Sequence, residues 1–166
     1  MLLTLMTGLL LLAESASGVK WKMPANWKAQ GERPMRVATY TVPAAAGDKD
    51  PGELAVFYFG PGQGGGPEAN LERWKSQFSN PTGAPVYEKV TTDSTAAAKL
   101  TIAEYRGTYA RGVGTGSSAD QAKPGQTLIA VVAETPRGTL FFQCFGASAE
   151  VDAQRAAYLR FVKSLK

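Results

Sequence analysis

The stretch LIAVVAETPRGTLFFQCF, residues 128–145, decides the fold class of this chain. Residues 128–134 and 139–145 are apolar runs of strand length, rich in β-branched and aromatic side chains. The segment T-P-R-G between them, residues 135–138, has proline at the second and glycine at the fourth position of a turn. The pattern therefore predicts two strands paired as an antiparallel hairpin.

Both faces of the second hairpin strand carry large apolar side chains. Alternation places Phe141 and Phe145 on one face, and Leu140, Phe142 and Cys144 on the other. This indicates that both faces of the strand are covered, which favours helices on both sides of the sheet. Cys144, the single cysteine of the chain, is expected to be a small buried hydrophobic residue.

Further strands and two amphipathic helices are predicted around the hairpin. The additional strands are residues 20–27, 35–42, 53–59, 86–91 and 99–109. The helices are residues 67–78 and 150–165, and residues 111–125 form a flexible loop. The order β-β-β-α-β-β-β-β-α predicts an α+β fold, an antiparallel β-sheet with two amphipathic helices packed on it. Periodicity alone leaves open whether the helices cover one face or both.

Composition limits the chemistry that the chain can perform. With 166 residues, 44% of them hydrophobic and 19% charged, the chain is expected to form one globular domain. The absence of histidine and the single cysteine exclude a Ser-His-Asp triad, a Cys-His pair, a histidine-bearing zinc site and an internal disulfide. The net charge of +4 comes from scattered residues, which argues against nucleic-acid binding and leaves a mild preference for acidic partners or anionic surfaces.

The amino-terminal segment predicts export. Residues 2–13, LLTLMTGLLLLA, are uncharged and too short to span a bilayer, but they fit the apolar region of a signal peptide. Cleavage after Ser15 or Ser17 satisfies the small-x-small rule, and we place the signal peptide at residues 1–17 and the domain at 18–166. No Lys or Arg precedes the apolar run, so either the true start lies upstream or the amino terminus alone supplies the positive charge. A buried amino-terminal strand or helix is the alternative to export. The expected location is periplasmic or extracellular.

A glycine-rich loop follows the third predicted strand. Three glycines in residues 60–65 fit the spacing G-x-G-x-x-G of dinucleotide-binding proteins. Pro61 and Pro67 lack the N–H donors that grip phosphate, and Glu68 places negative charge where an anion would lie. The loop is interpreted instead as a tight strand-to-helix connection or as a contact loop. Its expected partner-binding residues are Gly62, Gln63, Gly64 and Gly65.

The helix after this loop offers a second set of contact residues. Asn70, Arg73, Trp74 and Gln77 recur at helical spacing on one side. Because Trp and Arg dominate interface hot spots, we expect Asn70, Arg73 and Gln77 to contact a partner. The alternative is that Trp74 is a core residue and its polar neighbours are solvated.

Carboxylates are the remaining candidates for catalysis or metal binding. Glu104 and Glu134 lie in strands and are expected to face each other if the protein is a hydrolase. Asp48 and Asp50 share one loop, but their spacing departs from the EF-hand pattern. We therefore predict a hydrated turn there, with no metal, no cofactor and no assigned catalytic residue.

Several segments occur in an order that resembles a known family. W-x-x-P at residues 21–24 and a strand–glycine loop–helix unit precede LFFQCFG at 140–146 and FVKSLK at 161–166. Over residues 20–166 this order resembles the photosystem II extrinsic P-protein (PsbP-like) family and bacterial DcrB-type exported proteins. Similar bacterial exported proteins carry F-G-P-G-Q-G-G, here residues 59–65, before an N-x-x-R-W-x-x-Q-F helix, here 70–78.

The resemblance implies an α-β-α sandwich and non-enzymatic binding or assembly work. We therefore expect a non-catalytic exported binding or accessory module, whose partner is an unknown protein or small ligand of the cell envelope. No nucleic acid and no stable membrane span after leader removal are expected. The alternatives are a carboxylate-dependent hydrolase acting in the cell envelope and a purely structural envelope protein.

Overall fold

The computed structural model describes residues 14–46, 50–110 and 122–166. Its strands are β1 (Glu14–Ala16), β2 (Val19–Trp21), β3 (Lys28–Ala29), β4 (Ala38–Val42), β5 (Gly52–Tyr58), β6 (Phe78–Ser79), β7 (Tyr87–Ser94), β8 (Lys99–Tyr109), β9 (Lys123–Thr135) and β10 (Gly138–Ala147). The helices are α1 (Pro67–Lys75) and α2 (Ser148–Lys163). The apolar run 2–13, Asp48 and most of the predicted loop 111–125 lie outside the described residues.

The described strands form one large antiparallel sheet and a separate small one. The 8-stranded sheet runs β3-β4-β5-β10-β9-β8, and β6 and β7 both pair with the outer edge of β8. β1 pairs with β2 alone. The predicted hairpin is confirmed, because β9 and β10 are antiparallel neighbours with Phe142 opposite Val131. The mixed fold of an antiparallel sheet and two helices is therefore confirmed as well.

The two helices contribute to different hydrophobic clusters, which lie on opposite faces of this sheet. Successive side chains of β10 alternate between the clusters, as pleating requires. On the α2 face, the residues from β10 and α2 are Leu140, Phe142, Cys144, Val151, Tyr158, Phe161 and Val162. On the α1 face, the buried residues are Trp74, Phe78, Ala103, Tyr105, Leu128, Ala130, Val132 and Phe141. The burial predicted for Cys144 is confirmed, and burial raises the pKa of its thiol to about 12.

Helix α1 is shorter than predicted, because Phe78 belongs to a strand. The helix ends at Lys75, and Phe78 pairs with Tyr109 in the β6–β8 ladder. The ring of Phe78 lies 5.3 Å from that of Tyr109 and 6.1 Å from that of Tyr105, centroid to centroid. Because the helix ends before Phe78, the ring of this residue is buried against β8. A longer helix would lack the stabilisation that this burial provides.

The amino-terminal part of the domain also departs from the prediction. The strand expected at 20–27 is interrupted by a turn in which Trp27 N–H donates to the Pro24 carbonyl at 3.0 Å. The following strand begins only at Ala38, because Met35 lies in a turn with φ of 64°. Neither helix of the described residues is long and apolar enough to cross a bilayer.

Candidate functional site

The glycine loop, Gly60–Gly66, joins β5 to α1 in a conformation that favours glycine. Gly60, Gly62, Gly64 and Gly65 have φ angles of +104°, +69°, +90° and +77°. Residues with a Cβ rarely adopt these angles, so the density of glycine follows from the backbone path. Every pairing in the described sheet is antiparallel, so β5 and α1 are not part of a parallel β-α-β dinucleotide unit.

Asn70 holds the glycine loop from beneath. Its side-chain amide donates to the carbonyls of Gly64 and Gly66, each at 2.9 Å, and its Oδ1 accepts from Arg73 Nη2 at 2.5 Å. Asn70 is only 1% exposed. The structure therefore corrects its assignment as a surface contact residue, because its polar atoms are already engaged within the protein.

Four aromatic rings lie beneath and beside the glycine loop. Centroid distances join Phe57 to Phe59 at 6.0 Å, Phe59 to Phe141 at 5.9 Å and Phe141 to Trp74 at 6.5 Å. A Cβ on Gly64 would come within 2.6 Å of Phe141 and 2.9 Å of Phe59. The loop thus rests on Phe141 and Phe59, and we call the four linked rings the aromatic row.

An arginine lies over each end of the aromatic row. The Arg36 guanidinium lies 5.6 Å from the centroid of Phe57 and donates to Glu53 at 2.7 Å. The Arg73 guanidinium lies 5.9 Å from the centroid of Trp74. Arg36 is largely enclosed by its ion pair, whereas Arg73 is exposed. The row therefore combines cation–π contacts with one guanidinium that is open to a partner.

The other predicted contact residues fall into two groups. Gly62, Gln63 and Gly65 are exposed on the loop, and Gly64 is half-buried against the aromatic row. Gln77 is half-buried beyond the end of α1, where its carbonyl accepts from the Ala110 N–H at 2.8 Å. Trp74, at 1% exposed, is a core residue, as the alternative interpretation has it, but Asn70 is buried rather than solvated, and the role of the exposed Arg73 stays a prediction.

Sequence reasoning missed the aromatic row. Alternation through the predicted strand 53–59 places Phe57 and Phe59 on one face, and this was the available signal. Their approach to Phe141 depends on the β5–β10 pairing, in which Phe57 lies opposite Phe141. Phe59 remains 37% exposed beside the loop, so the surface includes an apolar group that the sequence analysis did not select.

Glu104 lies in an ion-pair cluster on the α2 face. Its carboxylate accepts from Arg155 at 2.5 and 2.8 Å and from Arg106 at 2.7 Å, and both arginines also bind Asp152. Burial acts to raise the pKa of Glu104, but hydrogen bonds from Arg155 and Arg106 outweigh it and hold the pKa below its ordinary value. The cluster joins α2 to β8 and keeps Glu104 ionised.

The carboxylate pair expected for a hydrolase is not formed. Glu104 lies opposite Ile129 on the α2 face, whereas Glu134 lies opposite Lys99 in a register position that projects to the α1 face. The side chains thus point to opposite sides of the sheet. Among the described residues, no group of three or more His, Cys, Asp or Glu side chains is arranged to hold a metal ion.

Comparisons with known proteins leave the family unassigned. No protein-family model and no curated protein matches this chain. The resemblance to PsbP-like proteins stays a prediction.

Proposed function

We propose that the protein is a non-catalytic exported module that binds or assembles with a partner in the cell envelope. Its contact surface consists of the exposed part of the glycine loop, Phe59 and Arg73, which we call the loop surface. The partner is a protein or small ligand of the envelope. The relation to PsbP-like proteins belongs to this proposal and is supported by an antiparallel sheet whose helices lie on opposite faces.

The observation that carries this proposal is a loop that is held in place yet presents its backbone. Asn70 fixes two loop carbonyls from the buried side, while Gly62, Gln63 and Gly65 stay exposed. A surface that is ordered before binding loses little conformational entropy when a partner arrives. Arginine and aromatic side chains beside such a surface are the residue types that dominate binding hot spots.

Charge reversal on the loop surface is expected to weaken partner binding. Partners are identified by crosslinking in envelope extract and then purified, and their affinity for Arg73→Glu is measured against the unmodified protein. We expect a loss of about thirtyfold, the effect of removing one hot-spot residue. Lys123→Glu is the matched control, since Lys123 is exposed at the other end of the sheet.

Two outcomes of this experiment contradict the proposal. Equal affinity for Arg73→Glu and the unmodified protein removes Arg73 from the contact surface. An equal loss with Lys123→Glu assigns the effect to net charge. Asn70 is unsuitable for this test, because its amide holds two loop carbonyls. Of the hydrogen bonds at Asn70, Arg73→Glu removes only that to Oδ1, and thermal unfolding verifies that this variant is folded.

Export predicts a shortened mature chain. Cleavage after Ser15 leaves Ser17 in place, where its hydroxyl contacts Thr135 Oγ1 at 2.9 Å and the Gly138 carbonyl at 3.1 Å. Cleavage after Ser17 removes those contacts together with β1. Intact-mass measurement of the exported protein is expected to give a chain that begins at Ala16 or Gly18. A mass that includes residues 2–13 contradicts leader removal.

A further inference from the structure

Basic side chains gather where β2 meets the end of α2. Lys20 N–H donates to the Lys166 carbonyl at 2.6 Å, and Lys166 N–H donates back to the Lys20 carbonyl at 3.1 Å. Val19 and Trp21 are buried, so alternation turns the side chain of Lys20 outward. The chain after α2 is thereby fixed beside Lys20, the one exposed residue of β2, and Lys22 is exposed directly after this strand.

A shallow hollow of about 310 Å³ lies next to this backbone pair. It is lined by Lys22, Met23, Pro24, Ala157, Arg160, Phe161 and Ser164. The lining combines two cationic side chains and one hydroxyl with apolar groups. We call these residues, together with Lys20, the basic hollow.

The cations of the basic hollow have no ion-pair partner among the described residues. Within residues 14–46, 50–110 and 122–166, Lys20, Lys22 and Arg160 form no salt bridge, and all three are exposed. The neighbouring Lys163 differs, because it pairs with Asp93 at 3.0 Å. Unpaired cations on one surface create a positive potential that attracts anionic groups.

We propose that the basic hollow docks the protein on an anionic phospholipid bilayer. The charged ends of lysine and arginine bind lipid phosphates. Their methylene groups and the apolar lining contact the apolar region of the bilayer just below the headgroups. β1 lies directly beside β2, with Ser15 opposite Lys20. The described chain begins at Glu14, opposite Trp21, and the predicted export would bring the protein to an envelope membrane.

This docking surface is separate from the loop surface. Arg160 and Lys22 lie on the side of α2, whereas Arg73 lies on α1, across the sheet. The inference depends on the proposed export only for the location of the membrane. Failure of lipid binding therefore leaves the partner-binding proposal standing, and the reverse also holds.

Vesicle sedimentation tests the proposal with the purified protein. We expect co-sedimentation with phosphatidylcholine vesicles that contain phosphatidylglycerol, and none with phosphatidylcholine alone. The double variant Lys22→Glu/Arg160→Glu is expected to bind about thirtyfold more weakly, from the contribution of each basic residue at an anionic surface. High salt should release the protein, because the Debye length falls from ~10 Å at 0.1 M to ~3 Å at 1 M.

A charge-matched control separates local docking from net charge. Lys75→Glu/Lys123→Glu makes the same change in net charge on exposed or partly exposed residues away from the basic hollow. This variant should keep most of the vesicle binding. Three results overturn the proposal: an equal loss in both variants, binding to neutral vesicles, and no binding to anionic vesicles. The last result overturns it even if the basic hollow binds an acidic protein. Thermal unfolding of each variant verifies that it is folded.

Discussion

Replacement of Gly64 by alanine is expected to lower the free energy of unfolding by about 3 kcal/mol. Two effects combine at this position. The φ of +90° is unfavourable for any residue with a Cβ, and the added methyl would lie 2.6 Å from Phe141 and 2.9 Å from Phe59. Phe141 is buried and packs against Trp74 and Phe59, so it cannot move without disturbing these neighbours. Urea denaturation followed by tryptophan fluorescence measures the change.

Gly62→Ala is the matched control for this substitution. Gly62 has a similar φ of +69°, but no atom lies within 4 Å of a Cβ built there. We expect a loss of about 1 kcal/mol from backbone strain alone. Equal losses for the two variants would show that the glycine loop does not pack against the aromatic row.

Substitution of Glu104 by glutamine is expected to destabilise the protein by about 3 kcal/mol. The Glu104 side chain is 6% exposed, and its charge neutralises two arginines that are themselves mostly enclosed. Glutamine keeps the volume but removes the charge, so Arg106 and Arg155 retain only Asp152 as a carboxylate partner. Asp93→Asn removes the charge from an exposed ion pair with Lys163 and should have a much smaller effect on stability.

The same cluster predicts a pH dependence of stability. Because the folded-state pKa of Glu104 is lowered, its contribution is complete above the unfolded value of about 4.3 and is lost as the pH falls through the folded value. Hydrogen bonds from Arg106 and Arg155 lower the pKa of Asp152 in the same sense. Unfolding measured from neutral to acidic pH should show a steeper loss for the unmodified protein than for Glu104→Gln. Parallel curves would contradict this account.

The hairpin and its neighbours could be predicted because their signals are local. β8 has the predicted bounds, Lys99–Tyr109, and the turn at Thr135–Gly138 joins β9 to β10. In both places the residues that carry the signal, either alternating side chains or turn residues, are within a few positions of one another in the sequence. Local patterns of this kind do not depend on which other strand becomes a neighbour.

The rest depended on partners that are distant in the sequence. The helical spacing of Asn70 relative to Arg73 and Gln77 predicted a surface position. Asn70 is buried instead, because the loop before the helix runs over its side chain. Glu104 is paired with Arg106, two positions along the same strand, but its other arginine, Arg155, is 51 positions away and cannot be found from the local sequence. Phe78 left the predicted helix because β8 offers aromatic neighbours. Each error concerns a residue whose environment is created by folding.

The central strand β10 contributes side chains to both hydrophobic clusters in alternate positions. Phe141 and Phe142 are adjacent in the chain, yet each is at most 1% exposed within a different cluster. If β10 unfolds, both hydrophobic clusters lose side chains that they need for packing. Neither cluster can therefore unfold alone, and the domain unfolds as one cooperative unit. Amide hydrogens of this strand should consequently exchange with solvent only through global opening.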